Sequence, residues 1–102
     1  MFLFFDTETT GLPQRWNAPI TDLDNWPRMV QLAWIMCDEK GNIIEERSDI
    51  VKPEGFLIPA EASRVHGITT AKAQAEGKEL LSVLEVFSDK IDEAYAMVGH
   101  NI

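Results

Sequence analysis

The chain opens on an apolar run, Met1-Phe2-Leu3-Phe4-Phe5, then alternates acid and hydroxyl through Asp6-Thr7-Glu8-Thr9 and turns at Thr10-Gly11-Leu12-Pro13. Such a run is too short to cross a membrane but suits a strand buried on both faces, and Gly-Leu-Pro stops it. Side chains alternate across a strand, so Asp6 and Glu8 share a face wherever the strand geometry continues past Phe5. Two carboxylates projected together repel. Either they are solvated acids at a strand end, with Asp6 capping the turn, or a hard divalent cation sits between them, since oxygen ligands suit Mg²⁺ or Mn²⁺. The spacing alone leaves both readings open.

The rest of the chain limits the setting. Its 102 residues suffice for one small domain, and 45% hydrophobic content excludes a disordered tail. Seventeen acids against nine bases give a formal charge of −8. That balance argues against broad electrostatic capture of nucleic acid, yet it is compatible with an enzyme that meets phosphates through metal ions. Cys37 stands alone, so no internal disulfide forms and a reducing cytoplasm is the expected setting. No basic flank or long apolar stretch marks a signal peptide or membrane span.

Met29–Cys37, MVQLAWIMC, reads as a second strand, with Val30, Leu32, Trp34 and Met36 on one face and Ala33 and Ile35 keeping the other mostly apolar. A turn over 38–42 predicts a β-hairpin, and the charged run 43–51 reads as an edge or solvent-facing strand. The Pro-rich, Trp-containing stretch 14–27 is expected to be an ordered loop. A short helical turn is predicted over 60–65. A main helix is predicted over about 78–93, where Leu80, Leu84, Phe87 and Ile91 recur at helical spacing, and a short strand follows at 96–99. The helix is long enough to return that strand parallel to the first.

FFDTETTGLP resembles the first motif of the DEDD superfamily of 3′–5′ exonucleases, close to the epsilon-like proofreading subunits of DNA polymerase III. Three stretches follow in family order: RMVQLAW (28–34) as the second strand, VHGIT (65–69) before the long helix, and VGHNI (98–102) as the start of the second motif. The resemblance implies an α/β, RNase H-like exonuclease fold, of which residues 1–102 form the N-terminal part. The second motif's aspartate, and the third motif with its aspartate and catalytic His or Tyr, would lie beyond Ile102. The chain by itself is therefore expected to bind metal weakly, to lack turnover and to self-associate through uncovered apolar surface.

Residue by residue, the resemblance implies that Asp6 bridges two ions, Mg²⁺ or Mn²⁺, and that Glu8 binds the one holding the attacking water. It places Thr9, Gly11 and Leu12 against the 3′-terminal nucleotide of a single strand, DNA before RNA, although Leu12 reads equally as core. Glu61 and His66 would border the nucleotide pocket, and His100 and Asn101 would support the second motif through hydrogen bonds. A DNA polymerase subunit is an implied partner. Trp34 is expected in the core, with Trp16 and Trp26 anchoring their loop rather than stacking bases. Two other readings stand beside this one. Haloacid-dehalogenase-like phosphotransferases open on an Asp-x-Asp strand end, but here the second acid is Glu and a hairpin follows in place of a strand-to-helix crossover. An exonuclease-like module used only for binding or polymerase docking would have no need of both acids.

Overall fold

The computed structural model describes residues 1–100. Four strands, β1 (Phe2–Thr9), β2 (Met29–Cys37), β3 (Ile43–Ile50) and β4 (Ala96–Gly99), form one sheet in the order β3-β2-β1-β4. Three helices, α1 (Ala60–His66), α2 (Thr70–Glu76) and α3 (Leu80–Glu93), lie between β3 and β4. β1 pairs antiparallel with β2 from Phe2↔Cys37 to Thr9↔Met29 and parallel with β4 from Phe2↔Ala96 to Phe5↔Gly99. The fold is α/β and carries the expected mixed sheet, with β4 returned beside β1.

The period-two pattern of β2 sets the core. Val30, Leu32, Trp34 and Met36 are all buried, joined by Leu3 from β1 and Val83 from α3. α3 lies over this face: the rings of Phe5 and Phe87 meet edge-on with centroids 5.6 Å apart. Lys90 Nζ sits 5.7 Å from the Trp34 ring while pairing with Glu45 at 2.6 Å, its stem laid along apolar surface. A second cluster, Val30, Ile58, Ile68 and Ala73, seats α2 and the segments flanking it.

Four local expectations change. The opening strand is not buried on both faces, because Phe4, which pairs with Ile35 and Val98, is 43% exposed on the open side of the sheet. The Leu80, Leu84 and Ile91 stripe of α3 is at least one-third exposed, and the helix docks instead through Val83, Val86 and Phe87. α2 is an additional helix, capped by Thr69 Oγ1, which accepts the Lys72 amide at 3.1 Å, and ended at Gly77. β3 is an edge strand, but its Asp49 is buried, accepting from Arg47 Nε at 2.6 Å and Lys78 Nζ at 2.8 Å. Burial opposes the ionised form of Asp49; the hydrogen bonds from Lys78 and Arg47, with their charges, outweigh it and hold the carboxyl below the usual range.

Gly77 is where the helical segment closes on the sheet. Lys78 N–H donates to Ile50 O and Lys52 N–H to Lys78 O, both at 2.8 Å. A Cβ at Gly77 would lie 2.5 Å from Lys52 N and 2.3 Å from Ala73 O, both backbone atoms that cannot swing aside. Gly77→Ala is expected to lower unfolding free energy by about 1–3 kcal/mol, measured by urea denaturation, because the contact overpacks backbone against backbone. Asp49 adds a pH signature. Its folded pKa lies below the ordinary value of 3.8, so its contribution is complete above that value and is lost as pH falls through the depressed one. The stability loss on acidification below about pH 4 should be shallower in Asp49→Asn, measured as thermal midpoint against pH.

Candidate active site

Both acids arrive on one strand. β1 continues in register past Phe5, with Asp6 opposite Ala33 and Glu8 opposite Gln31, so the two carboxylates leave the same, open face of the sheet. Asp6 borders a shallow depression of about 530 Å³ on that face, with Phe4, Ala33, Ile35, Glu46 and Ser48. One Asp6 oxygen accepts the Thr7 amide at 3.0 Å. Among the described residues, no Lys, Arg or His pairs with either acid. Gln31 is turned to Ser48, donating to its hydroxyl at 3.1 Å.

A register shift between Glu8 and Thr9 then breaks the β1–β2 ladder. The Thr9 hydroxyl donates to Gly11 O at 2.9 Å and accepts the Gly11 amide at 3.3 Å. Thr10 N–H donates to Arg28 O, and Arg28 N–H donates to the Thr10 hydroxyl, each at 2.9 Å. Gly11 takes φ 148°, outside the range side chains favour, and Leu12 beyond it is 79% exposed. The alternative of Leu12 in the core is thereby excluded. His66, at the end of α1, reaches this turn: its Nε2 lies 3.2 Å from Thr9 O. Glu61 is exposed in the first turn of α1.

Because β4 runs parallel to β1 and ends at Phe5↔Gly99, His100 leaves the sheet alongside Asp6 and is exposed. Asn101 lies outside the described residues. The parallel pair brings the start of the supposed second motif to the end of β1 that carries the acids, as ligand sites in α/β sheets gather at strand carboxyl ends.

Oxygen donors on one face, without a protein cation, fit a divalent metal by type and charge. They are a partial set: among the described residues no group of three His, Cys, Asp or Glu side chains could hold an ion. Two acids elsewhere in the sheet region are held in structural bonds. Asp49 is paired, and Asp38 accepts from Lys40 and twice from Asn42 within the β2–β3 turn, hydrogen bonds that hold its pKa down.

The loop after the site is ordered by Asn25, which is buried; its Oδ1 accepts the Arg15 backbone N–H at 2.7 Å and its Nδ2 donates to the Arg15 carbonyl at 2.9 Å. Trp26 anchors as expected, donating from Nε1 to Pro19 O at 2.8 Å, whereas Trp16 is 74% exposed and its ring makes no hydrogen bond among the described residues. Asn25→Ala should cost about 1–3 kcal/mol by stranding two backbone groups, while Trp16→Ser should stay within about 0.5 kcal/mol, both read by thermal denaturation.

A family model described as exonuclease, RNase T, matches residues 3–102. Among solved structures, a product-bound exonuclease I is 27% identical with a TM-score of 0.77, covering 98% of this chain and 22% of that one. Exonuclease I of E. coli in complex with a dT13 oligonucleotide is 27% identical at TM-score 0.76, covering 98% and 20%. The complex described as ExoI/SSB-Ct gives the same values. The chain thus spans 20–22% of the length of these relatives. A search of curated proteins returned no match. Among the described residues, no helix is long and apolar enough to cross a membrane.

Proposed function

The chain belongs to the RNase T family of exonucleases, whose model spans residues 3–102, and on that premise we propose that it carries the first metal-binding element of a 3′–5′ exonuclease acting on single-stranded DNA. The observation that carries the reading is the pair Asp6 and Glu8, unpaired by any cation among the described residues, on the strand end beside the β4 terminus. These two carboxylates would hold Mg²⁺ or Mn²⁺, which when bound neutralises phosphate charge and lowers the pKa of a coordinated water. The braced turn orients what enters. Thr9 and Gly11 offer a fixed backbone edge to a terminal nucleotide, and the exposed Leu12 offers an apolar side chain to its base. Glu61 and His100, both exposed, are the polar groups this reading assigns to the borders of that entrance.

Residues 1–102 are read as the N-terminal portion of a single exonuclease domain. Support comes from the coverage of the solved relatives, 98% on this side and 20–22% on theirs. The open sheet face with Phe4 and Val98 exposed favours self-association of the isolated chain, which would show as concentration-dependent sedimentation. Proofreading beside a DNA polymerase subunit is the narrower form of the reading and requires preference for a mispaired 3′ terminus.

A 5′-labelled single strand incubated in Mn²⁺ with a protein carrying the complete domain should shorten stepwise from its 3′ end. Asp6→Ala and Glu8→Ala should each cut the rate by at least about 10²-fold, as expected when transition-state charge loses its neutralisation. The isolated 102-residue chain, with its partial ligand set, should show no meaningful turnover. Near-normal trimming by Asp6→Ala would refute the site.

A further inference from the structure

His66 is joined to backbone through both ring nitrogens, one contact local and the other distant in sequence. Its Nδ1 lies 3.1 Å from the Ile68 amide nitrogen and its Nε2 lies 3.2 Å from the Thr9 carbonyl oxygen. A backbone amide can only donate and a backbone carbonyl can only accept. Nδ1 must therefore be bare and the proton must sit on Nε2; the neutral ring in this one tautomer satisfies both partners. The first bond closes the α1 terminus, where Gly67 turns the chain at φ 79° and its amide returns to Ser63 O. The second spans 57 positions of sequence to reach β1 one residue beyond Glu8.

Thr9 is the last pair of the β1–β2 ladder, set against Met29 after an irregularity. The register shift offsets it from the regular run of pairs below it, and the neighbouring Arg28 amide is taken by the Thr10 hydroxyl. We propose that His66 is a positioning residue: its Nε2–H holds the Thr9 carbonyl and thereby fixes Glu8 and the Thr9–Gly11 turn relative to Asp6. This inference rests on the two-acid metal site proposed above and concerns how that site is held in shape. It assigns the ring to the protein's own backbone in place of the substrate contact expected from sequence. α1 and the segment leading to α2 then serve as a brace for the acid-bearing end of β1, seated from below by Ile68 in the second core cluster.

Two conservative replacements separate the bonds. Asn places a carbonyl near the Nδ1 position and keeps an acceptor for Ile68, while losing Thr9. Gln places an N–H near the Nε2 position and keeps a donor for Thr9, while losing Ile68. Mn²⁺ affinity of the 102-residue chain, followed by water-proton relaxation, reads the site without turnover. His66→Asn is expected to weaken Mn²⁺ binding by about 10-fold, the lower range for losing an outer partner of a metal ligand, while His66→Gln stays within about two-fold of wild type. Thermal midpoints measured on the same samples supply the readout for a purely structural role, since the capped Asn variant should unfold no earlier than Gln. Nitrogen-15 NMR of wild type should show the His66 proton on Nε2.

Equal affinities in the two variants, or affinities that simply track their thermal midpoints, would overturn the positioning role alone. A proton on Nδ1 would do the same. Failure of wild type to bind Mn²⁺ at all would overturn the two-acid site and this inference with it.

Discussion

β1 is the strand on which the architecture depends, because it is paired on both edges with opposite polarity. β2 holds it antiparallel along its length, and β4 holds it parallel over Phe2–Phe5. The antiparallel pairing fixes which face each side chain takes, since a slip of one residue would send Leu3 outward and Asp6 into the core. The parallel pairing fixes where the chain emerges after Gly99, which is beside Asp6. The parallel return requires α3 to cross the sheet, and the burial of Val83, Trp34 and Leu3 in one cluster secures that crossing.

Charge sorts the acids of this chain into those the fold uses and those it leaves available. Asp49 is paired with Lys78 and Arg47 and Glu45 with Lys90, while Asp38 accepts hydrogen bonds from the amides of its own turn. Asp6 and Glu8 are among the acids that receive no such partner among the described residues, and β1 sets these two on one face. In a chain of net charge −8, leaving two carboxylates together on one strand face has an electrostatic cost that a bound divalent ion would remove. The turn beyond them is meanwhile fastened from several directions, by Thr9, by the Thr10–Arg28 pair and by His66. Rigid backbone beside unpaired ligands is the arrangement a preformed site needs.

Much of this was legible in the residues. The alternation in MVQLAWIMC named the four buried side chains of β2 because the sheet covers one face with helices and period two leaves no other choice. FFDTETTGLP located the acids because strand spacing and family pattern coincide there. The face of α3 was harder. Leu80, Leu84, Phe87 and Ile91 form a genuine apolar stripe, but Val83, Val86 and Phe87 form an adjacent one, and only the crossing over Phe5 and Trp34 decides between them. α2 has a short sequence signal, Thr69 before an alanine-rich run, too brief to stand out beside the longer apolar pattern of α3. Asp49 looked like one more solvated charge on an edge strand; its burial depends on Lys78, which the α2–α3 junction delivers from far along the chain. His66 carried no local sign of its bond to Thr9, since long-range side-chain to backbone contacts leave no periodicity to read.

The central claim is that Asp6 and Glu8, among seventeen acids, are the ones that gather a divalent cation. Paramagnetic broadening of amide NMR signals by substoichiometric Mn²⁺ tests it directly, because broadening falls steeply with distance from the ion. The account predicts that the amides of residues 6–11 and of Gly99 and His100 fade first, while those of 38–42 and 89–93 persist. Broadening that begins at the acidic turn 38–42 or along the α3 terminus, with residues 6–11 unaffected, would contradict it.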